Sequence, residues 1–588
     1  ILHGLTINWD SNGLWWNHNI NNTWIKVRYG WNITFNNIDV YKFINGIDLY
    51  YFNWINIISA EVHDNSNSWL TMQSVWNLQF ENVNSYNNVE YWIYSNSTSN
   101  TSIWNKIKVY NNGNVWLYIR GSQRNISNIE AYNNKDWLFL NYWGESSLEN
   151  IKSYDNNGDG IKLQYFIWIS LDNITIYNNQ NTWLYTYAVW NIVANNIETY
   201  NNLSSGFYNL SEKWTNYYTN INSHNNTDYW FYIRNSSSIN DVINKITTHS
   251  NGWDGILLYG TSWLTWSELI SHSNTGDGME ITYNEWWITI LNSNFYNNNW
   301  SWINTWATWN MNISQVNTFN NLKSWIFNSA TKLSNIFTNI KTFNNTENWF
   351  YIRSSWSKND SISNIYTYNN GTNWIQLYQI NEVNINSVIS YNNSHNGYVT
   401  WYSARNTINN SQFFNNGQTW IYYNIWNENV INNSITYNNG LYGLYLRNSQ
   451  WNKLNNVSIY NNSSNALYSY AWGTWDGSWE YHGTLSVFNN WNNNIPKLTS
   501  SSDWFLALTN GILDTSNIFS DNEVTSISNS GWDTSSRWKQ AVIITGNELY
   551  TYWINIAKQS QPIKYDWVDY VKYGTDWNQY NSQSYITE

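Results

Sequence analysis

The chain of 588 residues has no cysteine, two prolines and only 11% charged side chains. Without cysteine there is no disulfide framework, no zinc-thiolate centre and no thiol nucleophile. No run of about 18 apolar residues occurs, so no membrane-spanning helix is available. Basic residues are few and the formal net charge is -12, which argues against a nucleic-acid partner, since such binders carry a basic patch or stripe. Asparagine is abundant instead, and it favours turns over helix interiors. A mainly helical fold is therefore not expected. The first residues show no charged-then-apolar leader, so a signal peptide has been removed or the chain is a fragment of a larger protein; a fragment is the expectation, because these residues already fall in the register described next.

What the chain does have is a repeat. An aromatic residue or histidine recurs from His18 to Phe488 at gaps of 22 to 25 residues, the last gap alone being 28. Three residues before this landmark stands an apolar residue, as at Val83, Ile107, Ile129 and Ile151, with Ser293, Ser411 and Ser434 as exceptions. Seven residues after it stands another, as at Leu70, Ile93, Leu117 and Ile161. The local apolar period is two, which predicts short strands separated by Asn/Ser/Gly turns. A unit of about 23 residues holding about three such strands is one coil of a parallel β-helix, and about 20 coils follow. The residue after the landmark is nearly always asparagine (Asn87, Asn111, Asn133, Asn178), so stacking predicts an internal amide ladder in that column. A longer repeat overlies the short one: Asn225–Arg234 matches Asn344–Arg353 at an offset of 119, and Arg120 and Arg447 hold the same place in their own coils.

Tryptophan and glycine are inverted in abundance, 45 against 27. The sixth position after the landmark holds Trp69, Trp92, Trp116, Trp230, Trp325 and Trp349 in some coils, but Gly160, Gly206, Gly255, Gly278, Gly397 and Gly443 in others. A site that needs positive φ or close backbone approach admits glycine, and the largest side chain cannot replace the smallest there without overpacking. The pattern is the one produced when UGA codons that specify glycine are written as tryptophan, so glycine is expected at many of these positions. The alternative is a tryptophan-rich surface.

Read with glycine at position six, the units become Asn-Ile-x-x-Tyr-Asn-Asn-x-x-x-Gly-Ile-x-Leu. Over residues 1–495 they resemble the right-handed parallel β-helix repeat of the pectin-lyase-like superfamily. The resemblance implies an all-β, right-handed solenoid; it implies no one activity, because the superfamily spans lyases, hydrolases, epimerases, tailspikes and adhesins. Of the polygalacturonase motifs only Asn226-Thr227-Asp228 is matched, and the Asp-Pro-His core of the epimerases is absent because the only prolines are Pro496 and Pro562. No catalytic residue is assigned.

Three clusters remain as candidate sites. Tyrosine recurs eight residues after the landmark, and Tyr185, Tyr208 and Tyr232, like Tyr422, Tyr445 and Tyr468, occupy successive coils. Alternation turns them outward, where they either stabilise the sheet as stacked neighbours or offer an aromatic strip to sugar rings. Asp254 and Asp277 precede the position-six glycine in adjacent coils, with Glu280 outward beside them. Such stacked carboxylates are ordinary turn chemistry or, with a cation between them, a Ca²⁺ site. His224, His249 and His272 follow one another in the landmark row, as continued packing or as a metal or titrating ladder. After Phe488 the register breaks, and Pro496 with the serines that follow marks a boundary before a C-terminal β-rich cap or small domain, 496–588. The expected protein is a secreted or cell-surface bacterial β-helix, monomeric or part of a larger surface protein, that binds a polysaccharide or mediates adhesion and requires no cofactor. The alternatives are a lyase, hydrolase or epimerase acting on an acidic polysaccharide, and a structural spacer.

Overall fold

The computed structural model describes residues 6–10 and 23–488, apart from interruptions of one to eight residues, and beyond them the strands Leu508–Asp514, Trp538–Thr545, Glu548–Asn555 and Ile586–Thr587. All regular structure among the described residues is β, and the strands wind as a parallel β-helix. Glu145–Tyr154 pairs in parallel with Trp168–Tyr177, and that strand with Asn191–Tyr200, each step advancing one repeat so that Tyr154, Tyr177 and Tyr200 lie in register. The chain divides into two compact units, residues 1–299 and 300–588. Near the C-terminus, Leu508–Asp514 pairs in parallel with Trp479–Phe488, whereas Trp538–Thr545 and Glu548–Asn555 are antiparallel.

The period of two is what builds each coil. In Ile161–Gln164 the residues alternate buried and half-buried, and Ile161 and Leu163 are wholly inside. The inward columns three before and seven after the landmark are filled by Val83, Ile107, Leu70 and Ile93, all 2% exposed or less, so apolar burial drives the stacking. The exceptions point inward too: the hydroxyls of Ser293, Ser411 and Ser434 accept the backbone N–H of Leu269, Val388 and Ser411 at 3.1–3.2 Å.

The landmark rings form half-buried outer stacks. In the first unit twelve rings run from Tyr41 to Tyr296 with centroids 4.6–5.1 Å apart and planes within 9°. In the second, seven rings run from Phe319 to Tyr460 at 4.8–5.1 Å.

The asparagine ladder lies one residue later than the sequence reading placed it. Asn87, Asn111, Asn133 and Asn178, directly after the landmark, are exposed and left-handed, with φ of 55–58°. That conformation, which asparagine tolerates, breaks the alternation and turns the following asparagine inward. From Asn65 through Asn298 in the first unit, each donates its backbone N–H and its Nδ2 to the Oδ1 of the next, at 2.9–3.3 Å. Asn321 through Asn462 repeat the pattern in the second unit.

Position six is buried wherever it is described: Gly160, Gly206, Gly255, Gly278, Gly397, Gly443 and Ala466. None of these glycines has positive φ; Gly260 is the one described glycine that does. Close approach is the reason for glycine here. A Cβ on Gly255 would lie 2.7 Å from Ser271 Oγ, 2.8 Å from the Gly278 carbonyl oxygen and 2.9 Å from Asn274 Nδ2. Trp69, Trp92, Trp116, Trp230, Trp325 and Trp349 lie outside the described residues. Elsewhere, Trp104 and Trp266 are fully buried in slots whose neighbours in adjacent coils are Phe80 and Ile126, and Ile243 and Ile290.

Candidate functional site

The short strand that opens seven residues after the landmark puts its first and third residues inside and its second outside. In the first unit this strand is Leu184–Tyr187, then Phe207–Leu210, then Phe231–Arg234, paired in register. Leu184, Phe207 and Phe231 are wholly buried, and Tyr185, Tyr208 and Tyr232 stand outward and half-buried, as alternation requires. Tyr185 and Tyr208 are stacked at 5.3 Å, whereas Tyr232 meets Tyr208 edge-on at 4.8 Å. The Arg234 guanidinium lies 5.6 Å from the Tyr259 ring. The same outward column continues through Leu257 to Glu280.

Five residues after the landmark a second column runs alongside. Here the N–H of Gly206 donates to the Tyr229 carbonyl at 3.0 Å and that of Gly255 to the Asp277 carbonyl at 2.9 Å. This column carries Tyr229, Asp254 and Asp277. Asp254 and Asp277 are 6% and 2% exposed, and Asp277 donates its backbone N–H to Asp254 Oδ1 at 2.6 Å. Gly276 keeps that place open, because a Cβ on it would collide with Asp254 Oδ1. Oxygens of Asp254, Asp277 and Glu280 lie within 4.8 Å of one another. Burial, and next the charge of Asp277, push the Asp254 carboxyl up to about 8, with a hydrogen bond to Glu280 acting in the same direction. At neutral pH the trio therefore holds a proton. Tyr229 leans against Tyr232 (5.9 Å) and Trp253 (5.8 Å), and burial together with Asp254 and Glu280 pushes its phenol up to about 12.

The structure thus brings the tyrosine row and the acidic trio together on one face of the first unit. Hard oxygen donors at this spacing fit part of a Ca²⁺ shell, which takes six to eight oxygens at roughly 2.3–2.6 Å. In the second unit Tyr445 and Tyr468 are 5.2 Å apart, and Tyr442 joins them at 5.4 and 4.8 Å. The side chains of Tyr422, Arg120 and Arg353 lie outside the described residues. Sequence reasoning missed Tyr229 and Tyr442. A shared spacing marks them: Tyr-x-x-Tyr-x-Arg occurs at 229–234 and again at 442–447.

His224, His249 and His272 continue the landmark row, stacked at 4.7 and 4.8 Å with planes within 5°. Parallel rings that far apart do not converge on one ion, because two nitrogens at about 2.0–2.1 Å from a metal are at most about 4.2 Å apart. Burial lowers all three, and the two flanking imidazoles help lower His249 to about 4. Asn226 of the Asn226-Thr227-Asp228 tripeptide is a buried ladder residue, so that match is structural.

The sequence matches no protein-family model and no curated protein. Among solved structures, the chain is similar to the A-module of the Azotobacter vinelandii mannuronan C-5 epimerase AlgE4, at 13% identity over 57% of this chain and 87% of that one, with a TM-score of 0.24. A mutant of the periplasmic alginate epimerase AlgG matches at 11% identity over 65% and 74%, TM-score 0.25. The AlgE6 A-module of Azotobacter vinelandii matches at 10% over 76% and 91%, TM-score 0.17.

Proposed function

We propose that this chain is an extracellular or cell-surface β-helix that binds a polysaccharide along the tyrosine-lined face of its first unit. The observation that carries the reading is the outward row Tyr185, Tyr208, Tyr232, repeated at one-coil intervals and running into the Asp254, Asp277 and Glu280 trio. Aromatic rings in a row suit the apolar faces of successive sugar rings, and carboxyl groups beside them suit hydroxyls or a bridging cation. Ca²⁺ is the cation whose chemistry fits this oxygen set. Calorimetric titration with a panel of neutral and acidic polysaccharides tests the reading: Tyr208→Ala is expected to weaken binding about tenfold, in line with the loss of one stacking platform. Unchanged affinity would overturn it, and absence of all binding would leave a structural spacer.

A second reading, chemistry on the bound polymer as a lyase, hydrolase or epimerase, is favoured by one further observation. Oxygens of Asp254, Asp277 and Glu280 lie within 4.8 Å of one another, and burial with the charge of Asp277 raises the Asp254 carboxyl, the arrangement in which one carboxyl of a cluster serves as acid and another as base. Release of reducing ends, unsaturated products or inverted uronate residues, lost in Asp254→Asn, supports this reading; saturable binding without product rules it out.

A further inference from the structure

The spacing Tyr-x-x-Tyr-x-Arg occurs once in each unit, and the two copies differ in what the following coil adds. In the first unit the coil after Tyr229, Tyr232 and Arg234 contributes Asp254 and Leu257 at the fifth and eighth positions. In the second, the coil after Tyr442, Tyr445 and Arg447 contributes Asn465 and Tyr468. An amide and a third aromatic ring thus stand where the first copy begins its acidic trio.

We propose that Tyr442, Tyr445, Tyr468 and Arg447 form a subsite for one sugar residue that carries an anionic group, a carboxylate or a sulfate. The proposal rests on the glycan-binding reading above and names the sugar class that this part of the surface selects. Ring geometry supports it. The landmark rings of the second unit stack within 10° of parallel, so each covers its neighbour's face. Tyr442 and Tyr468 stack on each other at 4.8 Å and 15°, but Tyr445 is turned 38° and 45° from them, so the pair and the third ring together make an angled wall. An angled wall suits a puckered ring better than a flat one.

Charge supports it as well. Arg447 follows Tyr445 by two residues on the same strand, Leu444–Arg447, and is half-buried. Alternation places the two side chains on one side of that strand. A guanidinium offers paired donors that match a carboxylate or sulfate group. In the first unit the trio stands against an anionic sugar; here Asn465 holds the position equivalent to Asp254.

The test uses the full chain carrying Arg234→Gln, so that the first copy does not contribute its own arginine. A uronic-acid tetrasaccharide, its carboxyl-reduced neutral counterpart and a sulfated tetrasaccharide of the same length are titrated calorimetrically. Either anionic form is expected to bind about tenfold more tightly than the reduced form, the scale of a charge-assisted hydrogen-bonded pair, and the preferred one identifies the anion. Adding Arg447→Gln should bring the anionic and neutral affinities together while leaving the neutral affinity in place, with the unfolding midpoint confirming an intact coil. Equal binding of charged and neutral forms before that change, or a preference that survives it, overturns the subsite and leaves glycan binding standing. Absence of binding by any of the three overturns both. The comparison of charged with reduced sugar needs no substitution at Arg447, so a poorly folding variant does not protect the proposal.

Discussion

A Cβ on Gly443 would lie 2.5 Å from Ile459 Cγ2 and 2.6 Å from the carbonyl oxygen of Ala466, the residue at the same position one coil later. Ala466 is itself fully buried, so position six admits a methyl group at one place and nothing larger where the next coil closes in. Gly255→Ala is accordingly expected to cost about 1–3 kcal/mol, the usual penalty of overpacking, measurable in the denaturant midpoint. An indole at such a position is a far larger insertion. Peptide masses of the native protein across Trp230 and Trp349 are therefore expected to report glycine; tryptophan masses there would overturn the codon reading and make an indole-rich surface the leading idea. The prediction is confined to position six. Trp104 and Trp266 fill apolar slots flanked by phenylalanine and isoleucine, where glycine would leave a cavity.

Within one coil, the two asparagines after the landmark divide the labour. Asn178, at φ 57°, bends the backbone, and Asn179, wholly buried, joins the ladder. Asn179→Ala removes the acceptor of both the N–H and the Nδ2 of Asn156. Each buried donor left without a partner costs about 1–3 kcal/mol, so this change is expected to lower the unfolding midpoint more than the same change at Asn178. The reverse order would contradict the ladder's role. Which asparagine faces inward was not legible in the sequence, because a left-handed residue interrupts the very alternation from which orientation is read. The repeat, the inward columns and the outward tyrosines were legible, since all follow from a period of two. Tyr229 and Tyr442 were not: their column holds Asp, Ser, Asn and Thr in other coils, so no periodic signal singles them out.

Over the molecule as a whole, sparse charge means that a few buried titrating groups dominate the response to pH. His249 is lowered to about 4 in the folded state, so its contribution is intact above the ordinary histidine range near 6.5 and is lost as pH falls through about 4. Asp254 runs the other way: raised to about 8 from 3.8, it contributes most below the ordinary carboxylate range and loses that contribution as pH rises through about 8. Thermal unfolding from pH 4 to 9 is expected to show both limbs. His249→Phe should flatten the acidic limb and Asp254→Asn the alkaline one, while millimolar Ca²⁺ restores the alkaline limb only in the unsubstituted protein; a profile indifferent to Asp254→Asn would remove the trio from the account. The asparagine ladders carry a different consequence. Their bonds run from coil to coil, so within each unit a lengthwise pull loads the rungs one after another and not side by side. A unit so built yields like a zip, each step freeing one repeat of 22 to 25 residues, roughly 70–90 Å of extended chain, and so lengthens under tension while its remaining coils stay closed.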